Sequence, residues 1–137
     1  MAEIFPRGTA TVVGLMGDLG SGKTAFVKKV AEILDISETV NSPTFVIEKI
    51  YKIPKKKIVH RSSSIVPWNY LIHIDAYRIE KEEELLNLGW EQIISNSENL
   101  IFIEWPERVN GVLPRDTKTI RFEFIDESKR KIQWDSE

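Results

Sequence analysis

Eight residues near the start of the chain, Gly17-Asp18-Leu19-Gly20-Ser21-Gly22-Lys23-Thr24, spell G-x-x-x-x-G-K-T. The pattern fixes backbone shape and chemistry together. Its glycines let the chain turn so that successive N–H groups point inward, where they can hold phosphate oxygens. Lys23 brings a point charge to the β/γ-phosphates of a nucleotide, and the Thr24 hydroxyl can hold Mg²⁺. At ordinary residue usage, a random chain of this length would contain the pattern about once in a few hundred.

The flanks agree with the loop. Thr9 to Met16 is mostly apolar and β-branched, as a buried parallel strand requires. After the loop, Phe26, Val30 and Leu34 recur at four-residue spacing, joined by Val27, Ala31 and Ile33, while Lys28, Lys29 and Glu32 take the other face. The loop therefore joins a strand to an amphipathic helix. Phosphates bound there would sit at the helix N-terminus, where the backbone dipole favours anions.

The 137 residues suit one domain with its own core. A net charge of −2 implies no general affinity for nucleic acid, so DNA is not expected as a partner. The absence of cysteine removes disulfides, thiol catalysis and Cys-zinc sites, and suits a reducing cytoplasm. No apolar run reaches membrane-spanning length, and Met1 to Arg7 lacks the apolar core of a signal peptide.

Further along, Phe45 to Ile53 is rich in β-formers. Asn69 to Tyr77 alternates, with Tyr70, Ile72, Ile74 and Ala76 on one face and Leu71, His73, Asp75 and Tyr77 on the other. Between them, 54–68 is basic and serine-rich and reads as a long, solvated hairpin loop. Glu82 to Leu88 is predicted to be a short helix ending at Gly89. Asn99 to Ile103 is a buried strand that ends on Glu104. Two C-terminal strands, Thr119 to Ile125 and Arg130 to Trp134, lie within 117–134, with a turn at Asp126 to Lys129. The class is α/β: a three-layer domain over 1–137, similar to the P-loop NTPases, with a mixed parallel and antiparallel central sheet.

A phosphate loop works with an acid at the end of a neighbouring strand. Leu100-Ile101-Phe102-Ile103-Glu104 is one candidate and Ile72-His73-Ile74-Asp75 another. One of the pair is expected to serve the metal and the other to serve water or the γ-phosphate. Thr44, in Ser42-Pro43-Thr44, is where a switch-type hydrolase would sense the γ-phosphate, although the segment also suits a plain turn. His73 reads as a packed or hydrogen-bonded residue, and its spacing from His60 matches no familiar metal-ligand set.

Together the loop, Ser42-Pro43-Thr44-Phe45, His73-Ile74-Asp75-Ala76-Tyr77-Arg78, Ile103-Glu104-Trp105-Pro106-Glu107-Arg108 and Leu88-Gly89-Trp90 resemble the TsaE (YjeE) family over roughly Val13 to Pro114. These are bacterial ATPases of tRNA threonylcarbamoyladenosine biosynthesis. The resemblance implies a cytoplasmic protein that binds ATP with Mg²⁺ and hydrolyses it slowly. It would thereby support TsaB and TsaD, which place threonylcarbamoyl on adenosine 37 of tRNA, and would engage the tRNA itself only indirectly.

On the residues matched, the resemblance assigns the nucleotide to Asp18, Leu19, Gly20, Ser21, Gly22, Lys23, Thr24 and Ala25, with Trp105 shaping the pocket. It assigns Mg²⁺ to Thr24 and Glu104, and functional roles to Asp75, Glu104 and Thr44. Two departures stand out. Family members usually carry a strand and a helix before the phosphate-loop strand, where this sequence has almost nothing, and a missing edge element there could alter the adenine side of the pocket or the partner interface. The 54–68 segment is also longer and more basic than its counterpart. A small-molecule kinase could use the same loop but would need an acceptor pocket and an Arg-bearing lid, and Arg78 and Arg108 are the arginines near the motifs. A GTPase is disfavoured because N-K-x-D and D-x-x-G are both missing. A nucleotide-binding subunit without turnover fits the same residues.

Overall fold

A computed structural model of the chain describes residues 8–40, 47–54 and 66–135. The elements run β1 (Thr11–Met16), α1 (Lys23–Ile33), β2 (Glu48–Lys52), β3 (Tyr70–Asp75), α2 (Glu82–Leu86), α3 (Trp90–Ile94), β4 (Asn99–Glu104), a 3-10 segment (Pro106–Val112), β5 (Lys118–Asp126) and β6 (Lys129–Asp135). They build a six-stranded sheet in the order β2-β3-β4-β1-β5-β6. The four inner strands are parallel, whereas β2 is antiparallel to β3 and β6 is antiparallel to β5. The mixed α/β sheet read from the sequence is therefore the observed one.

Helices cover both faces, which explains why β3 and β4 are buried on both sides. On one face α1 lays Val27, Ala31 and Leu34 against Val13, Leu15, Leu100 and Phe102. Phe26 meets Phe102 and Phe122 edge-on, at ring separations of 5.8 and 5.5 Å. On the other face Leu85, Trp90 and Val109 pack over Val12, Ile74, Ile101 and Ile103. Trp90 satisfies its indole N–H with the Val112 carbonyl at 2.9 Å.

Several expectations need correction. Ile33, counted on the apolar face of the first helix, is 58% exposed; the packed stripe runs through Val27, Ala31 and Leu34, and Ile33 lies beyond its edge. The helix expected over 82–88 stops at Leu86, and a second helix starts at Trp90. Gly89, at φ +83°, turns the chain between them and lets Trp90 drop into the core. The strand expected over 45–53 is β2, Glu48–Lys52; Phe45 and Val46 lie outside the described residues, as do 55–65 of the expected basic loop and residues 1–7.

The 3-10 segment crosses the sheet closely enough to dictate a residue. A side chain at Gly14, in the middle of β1, would place its Cβ 2.9 Å from Cγ of Pro106, a rigid ring. We expect Gly14→Ala to destabilise the fold by about 1–3 kcal/mol, measured as a lower urea midpoint with an unchanged slope. A midpoint equal to that of the parent would show that the segment is not held against β1.

Candidate nucleotide site

β1, β4 and β3 deliver their carboxyl ends to one edge of the sheet, where open α/β sheets take their ligands. The loop following β1 folds there. Gly17, at φ +152°, sits so tightly that a Cβ would lie 2.6 Å from Ser21 Oγ and 2.7 Å from the Phe122 carbonyl. At Gly20 a Cβ would meet nothing within 4 Å, so the loop's crest is open. α1 then starts from Gly22 with no side-chain cap and no acidic residue in its first turn. An α-helix leaves its first N–H groups without intrahelical partners, and an uncapped, acid-free start suits an anion.

Lys23 is only 5% exposed. Its ammonium donates to the Gly17 carbonyl and lies 3.7 Å from the centre of the Trp105 ring. Burial pushes its pKa below the usual 10.5, against the opposing pull of Glu104, Glu107, Asp75 and Asp18. Trp105 holds its place with φ +63°, a left-handed backbone uncommon outside glycine. Its ring also packs on Tyr77 at 5.1 Å, and Arg108 lies over Tyr77.

The carboxylates stand beside the loop. Parallel register pairs Asp75 on β3 with Glu104 on β4, so the two acids predicted from separate strands are neighbours. Glu104, 4% exposed, accepts from Thr24 Oγ1 at 2.8 Å and lies 2.7 Å from His73 Nε2 through the same oxygen, Oε2. A carboxylate can only accept, so His73 carries its proton on Nε2. Asp75 takes the Tyr77 backbone N–H at 3.0 Å. Thr44 lies outside the described residues.

The remaining sequence-predicted residues lie in the same place. Leu19, Gly20, Gly22, Lys23, Thr24 and Ala25 border a cleft of about 670 Å³ together with Asp75, Glu104 and Trp105. Asp18 is exposed on the loop and Ser21 is buried within it. The His73–Glu104 contact was not readable in the sequence, because strand register alone brings residues 31 positions apart together.

Among the described residues no group of three or more His, Cys, Asp and Glu could hold a metal ion. A cation here would rely on Thr24, Glu104 and the oxygens of a phosphate ligand. That is how Mg²⁺ is usually bound, through one or two carboxylates plus substrate phosphates. The donor set thus fits a magnesium-bound polyphosphate.

The family described as "Threonylcarbamoyl adenosine biosynthesis protein TsaE" matches residues 1–132. The chain belongs to the TsaE family. Proteins named "tRNA threonylcarbamoyladenosine biosynthesis protein TsaE" are similar to it. The one from Rickettsia prowazekii is 35% identical over 120 residues, 87% of this chain and 73% of its own. The one from Bacillus subtilis is 35% identical over 121 residues, 88% and 66% of the two chains. The one from Treponema pallidum is 34% identical over 122 residues, 89% and 79%. The crystal structure of YdiB from Bacillus subtilis superposes with a TM-score of 0.63 at 27% identity, covering 92% of this chain and 68% of that one. The fold is accordingly that of a P-loop NTPase-like TsaE protein. No helix among the described residues is long and apolar enough to cross a membrane.

The lowered Lys23 pKa marks a charge that burial disfavours. Replacing it with an apolar chain of similar length, Lys23→Met, should leave the nucleotide-free protein as stable as the parent or up to about 1 kcal/mol more stable at neutral pH. A group with a depressed ammonium pKa releases its proton first from the native state, so the parent regains stability as pH rises from the lowered value toward 10.5. Any gap between the two proteins should therefore narrow in that range. Chemical denaturation across pH tests this, and a Lys23→Met protein clearly weaker at neutral pH would contradict it.

Proposed function

We propose that the chain binds Mg·ATP on its phosphate loop, hydrolyses it slowly, and thereby supports TsaB and TsaD in forming threonylcarbamoyladenosine at position 37 of tRNA. The threonylcarbamoyl transfer itself belongs to those partners, and the work is cytoplasmic. The observation that carries this reading is the convergence of Lys23, Thr24, Glu104 and Asp75 on one cleft, in a chain of the TsaE family.

The bound nucleotide supplies the phosphoanhydride to be cleaved, and its magnesium offsets the paired carboxylates. The chain's residues do the rest. The uncapped start of α1 and the loop N–H groups hold phosphate oxygens. Lys23 exchanges the Gly17 carbonyl for a phosphate, which regains for its buried charge a full counter-charge. Thr24 and Glu104, now joined by a hydrogen bond, would be the residues that hold the metal, and His73 keeps Glu104 in place. Asp75, half-buried at the cleft and neighbour to Glu104, orients the water that takes the terminal phosphoryl group. Trp105 closes the pocket beside Lys23. Thr44 is assigned the switch role that reports the terminal phosphate.

Titration calorimetry tests the site. With Mg²⁺ present, Lys23→Ala should weaken ATP binding roughly 10- to 100-fold, the worth of one charge-assisted contact. Glu104→Ala should remove most of the magnesium dependence. Parent-like Mg·ATP affinity in both variants would sink the site assignment. Pulldown with TsaB and TsaD, with and without ATP, tests the partners, and no association in any nucleotide state would contradict them. Transfer of labelled phosphate to a small molecule would replace hydrolysis by a kinase reading.

A further inference from the structure

β6 has β5 on one side and, among the described residues, no strand on the other. Such an edge presents a row of unpaired backbone N–H and C=O groups, a ready template for another strand.

Apolar side chains line this edge on one face. Ile120 and Phe122 of β5 pack toward α1, and β6 sets Trp134 opposite Ile120 and Ile132 opposite Phe122. Residues directly opposite share a face of the sheet, so Ile132 and Trp134 also point to the α1 side. Phe124 lies two residues further along β5 on the same face. Ile33 stands about two helical turns after Phe26, on the flank of α1 that meets Phe122. All four of these side chains, Ile33, Phe124, Ile132 and Trp134, are more than half exposed. Single exposed apolar residues are ordinary, but a group of them beside an open strand edge marks a contact surface. At the other edge of the sheet, β2 exposes Ile50 without such a group around it.

The sequence of β6 is complementary to itself. The strand opens on Lys129 and closes on Asp135. Two copies laid antiparallel about a two-fold axis at Ile132 set Lys129 opposite Asp135 at both ends. The same register sets Arg130 opposite Trp134, Lys131 opposite Gln133, and Ile132 opposite itself. Unlike charges meet, a cation meets an aromatic ring, and no two like charges face each other. Moving the axis to Lys131 would set two lysines face to face. With the axis through Ile132 the apolar faces of both copies lie on one side, and their isoleucines and tryptophans join into one strip.

We propose that β6 is a dimer edge: a second copy of this chain adds its own β6 antiparallel, so that two six-stranded sheets become one continuous sheet. The contact is isologous and closes on itself, which removes the open edge from both copies. It stands apart from the nucleotide reading and requires no bound ligand.

Sedimentation velocity on the full chain, without nucleotide, tests the edge. The parent should be a dimer that gives way to monomer on dilution through roughly the micromolar range, as suits a small interface. Ile132→Glu and Ile132→Lys each set like charges against themselves across the axis, and each should raise the dissociation constant roughly tenfold or more. An equimolar mixture of the two variants should restore the dimer, because the introduced carboxylate then faces the introduced ammonium. Trp134→Thr keeps a strand-forming residue and should also weaken the dimer. These positions are exposed in the single chain, so melting temperatures of the dilute variants should match that of the dilute parent. A parent that stays monomeric up to about 200 µM would leave the edge to a strand of another protein and overturn the proposal. A dimer indifferent to all three substitutions would place the contact elsewhere, and a mixture that stays monomeric would remove the Ile132 axis; either result overturns it as well.

Discussion

One carboxylate oxygen ties this structure to its proposed chemistry. Glu104 Oε2 accepts from Thr24 in the first turn of α1 and from His73 on β3, while its own backbone sits in β4. A carboxylate this deeply buried is costly unless its hydrogen bonds are made. Both of those bonds reach elements that must be correctly placed for the phosphate loop to work. The loop's helix, the central strand and its neighbour are thus locked together at the point where a metal ion would act. Moving any one of them leaves a buried charge unsatisfied.

The surroundings follow from this lock. Parallel register puts Asp75 beside Glu104, and two adjacent carboxylates invite a cation. Lys23 supplies one positive charge from the same cleft but keeps it on the Gly17 carbonyl and the Trp105 ring. Its burial makes that charge expensive, so a phosphate ligand relieves it. The strained backbone at Trp105 belongs to the same economy of space, since the chain turns sharply after Glu104 to put the indole under the ammonium. At the opposite end of the loop, Arg130 performs the mechanical counterpart by fastening Gly20 to the C-terminal hairpin.

Much of this was legible in the sequence because it is written in local patterns. The loop is eight contiguous residues, and four apolar residues ahead of Glu104 mark a buried strand ending in an acid. The alternation over 69–77 correctly sorted His73 and Asp75 onto one face. What local pattern could not give was register. That His73 reaches Glu104 depends on β3 lying beside β4 in one alignment, and that Arg130 reaches Gly20 depends on a contact 110 residues apart. The single helix expected over 82–88 failed for a related reason. Gly89 signalled an end, but the restart at Trp90 is set by a core position that only the packed sheet defines. Ile33 misled in the same way, since apolar character was taken for burial at the margin of a helix face.

The central claim is that Glu104 and Thr24, steadied by His73, receive the metal of a bound nucleotide. The chain has two histidines, so the imidazole signals of His73 are simple to follow by NMR. Mn²⁺ with a non-hydrolysable ATP analogue makes the metal a paramagnetic probe in place of Mg²⁺. The His73 ring resonances should broaden beyond detection as the Mn²⁺ complex forms, and Glu104→Gln should demand far more Mn²⁺ for the same loss. Sharp His73 signals in a protein saturated with the Mn²⁺-nucleotide would contradict the account.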